Sequence, residues 1–201
     1  MKNPKIGFIG GGNMGGTMIE NLAQRLGGER VFVYARSKTA ALREKCGVNA
    51  CESEAAVASA ADITVLATKP AAYEGILNLI KDAARGKVIV TLAASFSLEQ
   101  SMQILGAQAK IARAMPNTPA AIAEGVSALC FNENLSADEL NLERIFLGAR
   151  SIVGIWQNSL NAEQEQRARL LKNSGKLKFK NGRYYAKNFL TADEISLFIA
   201  G

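Results

Sequence analysis

The 201-residue sequence predicts an α/β fold with a doubly wound, mostly parallel sheet, on the strength of three observations. Short apolar runs such as Ile6 to Ile9, Ile63 to Ala67 and Lys87 to Leu92 read as buried parallel strands. Stretches with helical apolar spacing separate them, the alternation that parallel sheets require. The first run ends in Gly10, Gly12 and Gly15, a G-x-G-x-x-G turn that leads into a helical pattern over Thr17 to Leu26.

Each glycine of that turn has its own reason. Gly10 permits the tight turn, Gly12 lets a pyrophosphate approach the backbone, and Gly15 lets the helix pack closely on the strand. The helix N-terminus then offers unpaired N–H groups and a positive dipole end to phosphates. A glycine-rich loop is the bland alternative, but the strand–turn–helix setting favours a dinucleotide site on a Rossmann-like sheet.

Arg30 to Ala35 is the second strand, and Arg36-Ser37-Lys38 follows it. Acidic residues that hold an unphosphorylated ribose sit near this point, whereas arginine accommodates a 2′-phosphate. No Asp or Glu lies between Val31 and Leu42, which favours NADP(H) over NAD(H); the competing reading is a solvated basic turn. Thr39 to Lys45 reads as a short helix, Gly47 to Ala50 as a short strand and Glu54 to Ala61 as an alanine-rich helix. The strand Ile63 to Ala67 ends in Thr68-Lys69-Pro70, at the carboxyl edge where open α/β sheets bind ligands. Pro70 keeps Lys69 extended, and Lys69 is either a cofactor contact or an ordinary loop lysine.

Ala72 to Ala84 is a helix with Ile76, Leu79 and Ile80 on one face. After the strand Lys87 to Leu92, the small residues Ala93-Ala94-Ser95 would let a ligand come close. Ser97 and Gln100 resemble a capping box for a helix through Leu105, and Lys110 to Ala114 is the sixth strand. In Arg113 to Pro119, two prolines bracket Asn117-Thr118 and stiffen a loop just past a strand end. The loop either holds an amide and a hydroxyl at the crevice or is a rigid turn bonded to itself. Ala123 to Cys130 returns as a strand.

Composition narrows the chemistry. The apolar fraction of 48% and charged fraction of 21% suit an ordinary globular protein, and no stretch is long and apolar enough to span a bilayer. With no histidine, and with Cys46, Cys51 and Cys130 at no metal-like spacing, no metal site is expected. Reduced cysteines fit a cytoplasmic protein. The net charge of +6 is uneven: residues 1–143 hold 14 basic and 14 acidic residues, and residues 144–201 hold 10 against 4. All four prolines lie at or before Pro119. The break divides the chain into a dinucleotide-binding domain, 1–143, and a basic C-terminal segment, 144–201.

IGFIGGGNMGGTM at 6–18, VLATKP at 65–70, TLAAS at 91–95 and RAMPNTPAAIAEGVSALC at 113–130 together resemble pyrroline-5-carboxylate reductase. The match runs through roughly the first two-thirds of the chain, and its MPNTP loop with the strand that follows is specific. The resemblance implies an oxidoreductase that transfers hydride from NAD(P)H to the imine carbon of 1-pyrroline-5-carboxylate, giving proline in the last step of proline biosynthesis. Carried over by motif, Ile9, Gly10, Gly11, Gly12, Asn13 and Met14 contact the pyrophosphate, Gly15 completes the cofactor-binding turn, and Arg36 with Ser37 meets the 2′-phosphate. Ala67, Thr68, Lys69 and Pro70, with Ala93 and Ala94, line the dinucleotide, and Asn117 and Thr118 lie near nicotinamide and substrate. No dedicated acid–base residue is implied, and the catalytic residues stay unassigned. Where the family often has an asparagine, this chain offers Ser53 or Glu54.

The family continues into a helical domain that dimerises and completes the substrate pocket. Its Ser-Gly-Ser-Gly-Pro-Ala-Tyr and Gly-Gly-Thr-Thr segments are absent, and the resemblance fades near Glu143 to Phe146. Homo-oligomerisation, typical of the family, is therefore in doubt here, and an NADP(H)-binding homologue without turnover is the alternative function. Local signals remain: Ser136 with Glu139 to cap a helix to about Phe146, an amphipathic Ala162 to Lys172, a hairpin around Asn181-Gly182, and Thr191 with Glu194 to cap a last helix. The tail reads as a basic appendage, as altered coding, or, ranked last, as a nucleic-acid or polyanion binder.

Overall fold

The computed structural model describes residues 3–93, 95–116, 127–136, 139, 154–156, 162–175, 177–180 and 183–186. Seven strands form one sheet: β1 (Ile6–Ile9), β2 (Val31–Tyr34), β3 (Asn49–Ala50), β4 (Ile63–Leu66), β5 (Val88–Thr91), β6 (Lys110–Pro116) and β7 (Ser127–Phe131). Their spatial order is β3-β2-β1-β4-β5-β6-β7, and only β6 and β7 pair antiparallel. The winding reverses at β1, which pairs with β2 on one side and β4 on the other. Ile9 registers with both Tyr34 and Leu66, so three strands end level and the loops after them open on one crevice.

Among the described residues, five helices cover this sheet: α1 (Asn13–Leu26), α2 (Thr39–Cys46), α3 (Glu54–Ala60), α4 (Tyr73–Ile80) and α5 (Leu98–Leu105). Every residue of β1, β4 and β5 is buried, which is why these strands read as unbroken apolar runs. On one face Phe8, Val33 and Val65 pack with Met18, Ile19 and Leu22 of α1. On the other, Ile9, Leu66 and Ile89 pack with Val57 of α3 and Ile76, Leu77 and Ile80 of α4. The two-residue alternation along each strand divides the core between these layers.

Most expected elements lie within one or two residues of their predicted bounds. The short third strand begins only at Asn49, because Gly47 takes a left-handed φ of 66° and closes α2, its N–H donating to the Arg43 carbonyl. The capping box of α5 is formed: the Gln100 N–H donates to Ser97 Oγ at 3.1 Å, and the Ser97 N–H to Gln100 Oε1 at 2.8 Å. The α4 reading needs correction on two counts. The helix is shorter than Ala72 to Ala84, with a 3-10 turn, Pro70–Ala72, before it. Its buried face is Tyr73, Ile76, Leu77 and Ile80, whereas Leu79 is 64% exposed. Positions i, i+3, i+4 and i+7 counted from Tyr73 define the core stripe, and Leu79 falls outside it.

Tyr73 is the anchor of that stripe. Fully buried, it donates its phenol to the Leu66 carbonyl at 2.6 Å and accepts from the Leu92 N–H at 3.1 Å. It thereby ties together the carboxyl ends of β4 and β5. Burial pushes its phenol above the ordinary value, so the tie is undisturbed at neutral pH. Tyr73→Phe leaves two inward backbone groups without a partner and should lower unfolding stability by roughly 1–3 kcal/mol in urea denaturation.

Further along, the Glu139 carboxylate accepts from Ser136 through both its N–H and its hydroxyl, and from Lys110 Nζ at 2.7 Å. Burial alone would raise its pKa, but these donors outweigh it and hold the group below the usual carboxylate value. A second sheet follows, of β8 (Gly154–Trp156), β9 (Leu177–Lys180) and β10 (Arg183–Ala186) in the order β8-β10-β9, with α6 (Ala162–Asn173) between β8 and β9 in the chain. The expected hairpin is there, Lys180 opposite Arg183. The conformation of its Asn181-Gly182 turn, the helix from Ser136 to Phe146 beyond its cap, residues 123–126 of the returning strand and the Thr191 helix lie outside the described residues. No helix among the described residues is long and apolar enough to cross a membrane.

Candidate dinucleotide site

At the carboxyl edge of β1, β2 and β4 lies a cavity of about 840 Å³. Its floor is the glycine turn, from Ile9 to Gly15. The chain leaves β1 with Gly10 at φ +107°, its N–H donating to the Tyr34 carbonyl at 2.8 Å. A Cβ on Gly10 would sit 2.5 Å from the Ala67 carbonyl oxygen, so the turn admits only glycine. At Gly15 a Cβ would meet both Ala67 Cβ and the Gly10 carbonyl oxygen at 2.8 Å, a close helix-to-turn contact. At Gly12 a Cβ would meet no protein atom within 4 Å. The three glycines thus divide into a turn, an open space and a packing contact, as their spacing predicts.

Helix α1 begins at this floor with Gly12 as its N-cap, no side chain capping it and no acidic residue in its first turn. The positive end of a 14-residue helix is left facing the cavity. One wall is the end of β2, where Arg36, Ser37 and Lys38 are exposed. Thr39 holds that turn, its hydroxyl accepting from the Ala35 N–H at 2.7 Å and donating to the Ala35 carbonyl at 2.8 Å. The other wall is Ala67, Thr68 and Lys69 from the end of β4, with Ala72, Gly75, Ile76 and Leu79 from the α4 side. Lys69 is extended (φ −70°, ψ 144°) ahead of Pro70. The Thr68 hydroxyl is buried and has no hydrogen-bond partner among the described residues.

An uncapped helix end, an open space over Gly12, a hydroxyl without a partner and a basic turn form a donor set that fits a phosphate-bearing dinucleotide. Of the residues expected to line it, Ile9 to Gly15, Arg36, Ser37, Ala67, Thr68 and Lys69 do so. Pro70 and Ala93 do not: Pro70 starts the exposed turn before α4, and Ala93 is buried beside Tyr73. Ala94, Asn117 and Thr118 lie outside the described residues. Sequence reasoning passed over Tyr34, Ala35 and the α4 wall, and named Glu54 only as standing where the family often has an asparagine. The i, i+3, i+4, i+7 spacing of Ala72, Gly75, Ile76 and Leu79 is the signal that could have found the last.

A family model described as NADP oxidoreductase, coenzyme F420-dependent, matches residues 5–95. The chain is 40% identical over 152 residues to pyrroline-5-carboxylate reductase of Escherichia coli, a match covering 71% of this chain and 56% of that protein. It is similar to the solved pyrroline-5-carboxylate reductase of Coxiella burnetii, with TM-score 0.71, 31% identity, and 83% of this chain and 62% of that one covered. The Plasmodium falciparum pyrroline carboxylate reductase with NADP bound matches with TM-score 0.68 and 25% identity over 87% of this chain and 64% of that one. The chain spans a little over half the length of the first of these relatives.

Proposed function

From a chain that is a relative of the pyrroline-5-carboxylate reductases, we propose an NAD(P)H-dependent oxidoreductase that reduces 1-pyrroline-5-carboxylate to proline. The observation that carries the reading is the cavity at the switch point, where the turn Arg36 to Lys38 faces the Gly12 turn. A reduced nicotinamide bound there supplies the hydride that goes to the imine carbon, the ring nitrogen keeping its proton as the product amine. The protein's part is to orient. The N–H groups at the start of α1 hold the pyrophosphate, Arg36 and Ser37 hold the adenosine phosphate, and Thr68 with Lys69 fixes the middle of the dinucleotide. Asn117 and Thr118 act at the nicotinamide and substrate in this reading, on the strength of the MPNTP motif. Without histidine, the protonated imine is electrophilic by itself, and proximity supplies much of the rate.

The same reading treats residues 1–143 as the cofactor domain and 144–201 as a separate basic segment, in a cytoplasmic protein that acts on a small imine. The test is loss of NADPH absorbance when 1-pyrroline-5-carboxylate is added to the purified 201-residue chain, with proline identified as product. Turnover well above the substrate-free rate is the expected result. Saturable NADPH binding without proline formation would overturn the catalytic half of the proposal and leave a nucleotide-binding homologue.

A further inference from the structure

The end of β2 carries no carboxylate, yet the cavity contains one. Val33 registers with Ala50 across the β2–β3 ladder, and the Cys51 N–H donates to the Val33 carbonyl at 2.9 Å. Three residues on from Val33 stands Arg36, and four on from Ala50 stands Glu54, so the two segments leave the sheet from neighbouring strands. Glu54 opens α3, is half-buried, and lines the same cavity as Arg36, Ser37 and Lys38. Its helix is fixed at both ends. The Ser53 hydroxyl accepts from the Ala56 N–H at 3.1 Å, and Lys87 Nζ donates to the Ala58 and Ser59 carbonyls at 2.6 Å each. Among the described residues the Glu54 carboxylate has no hydrogen-bond or ion-pair partner, and it is the only acidic group on the cavity wall.

We propose that Glu54 is a specificity-determining residue that accepts the adenosine ribose hydroxyl of an unphosphorylated dinucleotide, so that one cavity takes NADH through Glu54 and NADPH through Arg36 to Lys38. The proposal rests on the reading of the cavity as a dinucleotide site. A carboxylate is the group that recognises a free ribose 2′-hydroxyl, and it ordinarily comes from the end of the second strand. Here the β2–β3 register delivers it from the next helix. It lines the cavity together with the cations rather than replacing them. The carboxylate is a good acceptor for a hydroxyl and a poor neighbour for a phosphate, so removing its charge acts in opposite directions on the two cofactors.

The experiment titrates the full chain with NADH and, separately, NADPH, following reduced-nicotinamide fluorescence, for the unaltered protein, Glu54→Gln and Arg36→Ala. Glu54→Gln should raise the Kd for NADH by about tenfold, the size of one charge-assisted hydrogen bond, and leave the Kd for NADPH unchanged or lower. Arg36→Ala should weaken NADPH and spare NADH. Equal loss for both nucleotides in Glu54→Gln would overturn the proposal, because the carboxylate would then act on a part the two share. No change for either would overturn it as well. An unaltered chain that bound neither nucleotide would overturn this assignment together with the cavity reading beneath it, whereas binding of both with an unaffected Glu54→Gln variant removes only the role of Glu54.

Discussion

Gly12→Val should leave the protein folded and abolish its dinucleotide binding. Gly12 sits at φ −68° and ψ −168°, a conformation open to any residue, and a Cβ there meets no protein atom within 4 Å. The folded chain therefore has room for a larger side chain, at the N-cap cost of exchanging glycine for valine, about 1 kcal/mol. The bound state does, because the valine methyls fill the space over the first turn of α1 through which a pyrophosphate must approach the N–H groups. The expected outcome is an unchanged circular-dichroism spectrum and a melting temperature lowered by no more than about 2–4 °C, with NADPH affinity reduced roughly a hundredfold or more, the scale on which a misplaced contact acts. Retained affinity would mean that the phosphates lie elsewhere.

Gly10→Val, two residues away in the same motif, should do the opposite and strike the fold itself. Its φ of +107° is a region that β-branched residues avoid, and its Cβ would lie 2.5 Å from the Ala67 carbonyl oxygen and 2.9 Å from Thr68 Cγ2. Two backbone segments meet there, and neither can move freely: the Gly10 N–H is bonded to Tyr34 and the Ala67 N–H to Ile9. Backbone strain and overpacking together should lower stability by about 3 kcal/mol or more. For a chain of this size that is a fall of about 6–12 °C in Tm. Calorimetry that found Gly10→Val as stable as the unaltered protein would show that the turn is slacker than its contacts indicate. Side by side, the two variants separate a glycine that serves a ligand from one that serves the chain.

How much of this was legible without coordinates varies by residue. The strand bounds of β1, the capping box Ser97–Gln100 and the extended Lys69 before Pro70 follow from local rules, because each depends on neighbours within a few positions in the chain. The face of α4 was misjudged at Leu79, since helical spacing allows several apolar stripes and only the sheet beneath selects Tyr73, Ile76, Leu77 and Ile80. Tyr73 gave no sign of its role, because its partners, the Leu66 carbonyl and the Leu92 N–H, are backbone atoms on two different strands.

The sequence by itself determined the Rossmann-like fold class, the glycine turn with its three distinct glycines, and the basic turn at Arg36 to Lys38, for in each the information lies in a short unbroken stretch. Only the tertiary structure decided that the cavity wall includes α4 and that Glu54 shares the cavity lining with Arg36, eighteen positions away. The reason is register: pairing Val33 with Ala50 carries two separate segments to the same edge, and no local pattern encodes which strand will lie beside which.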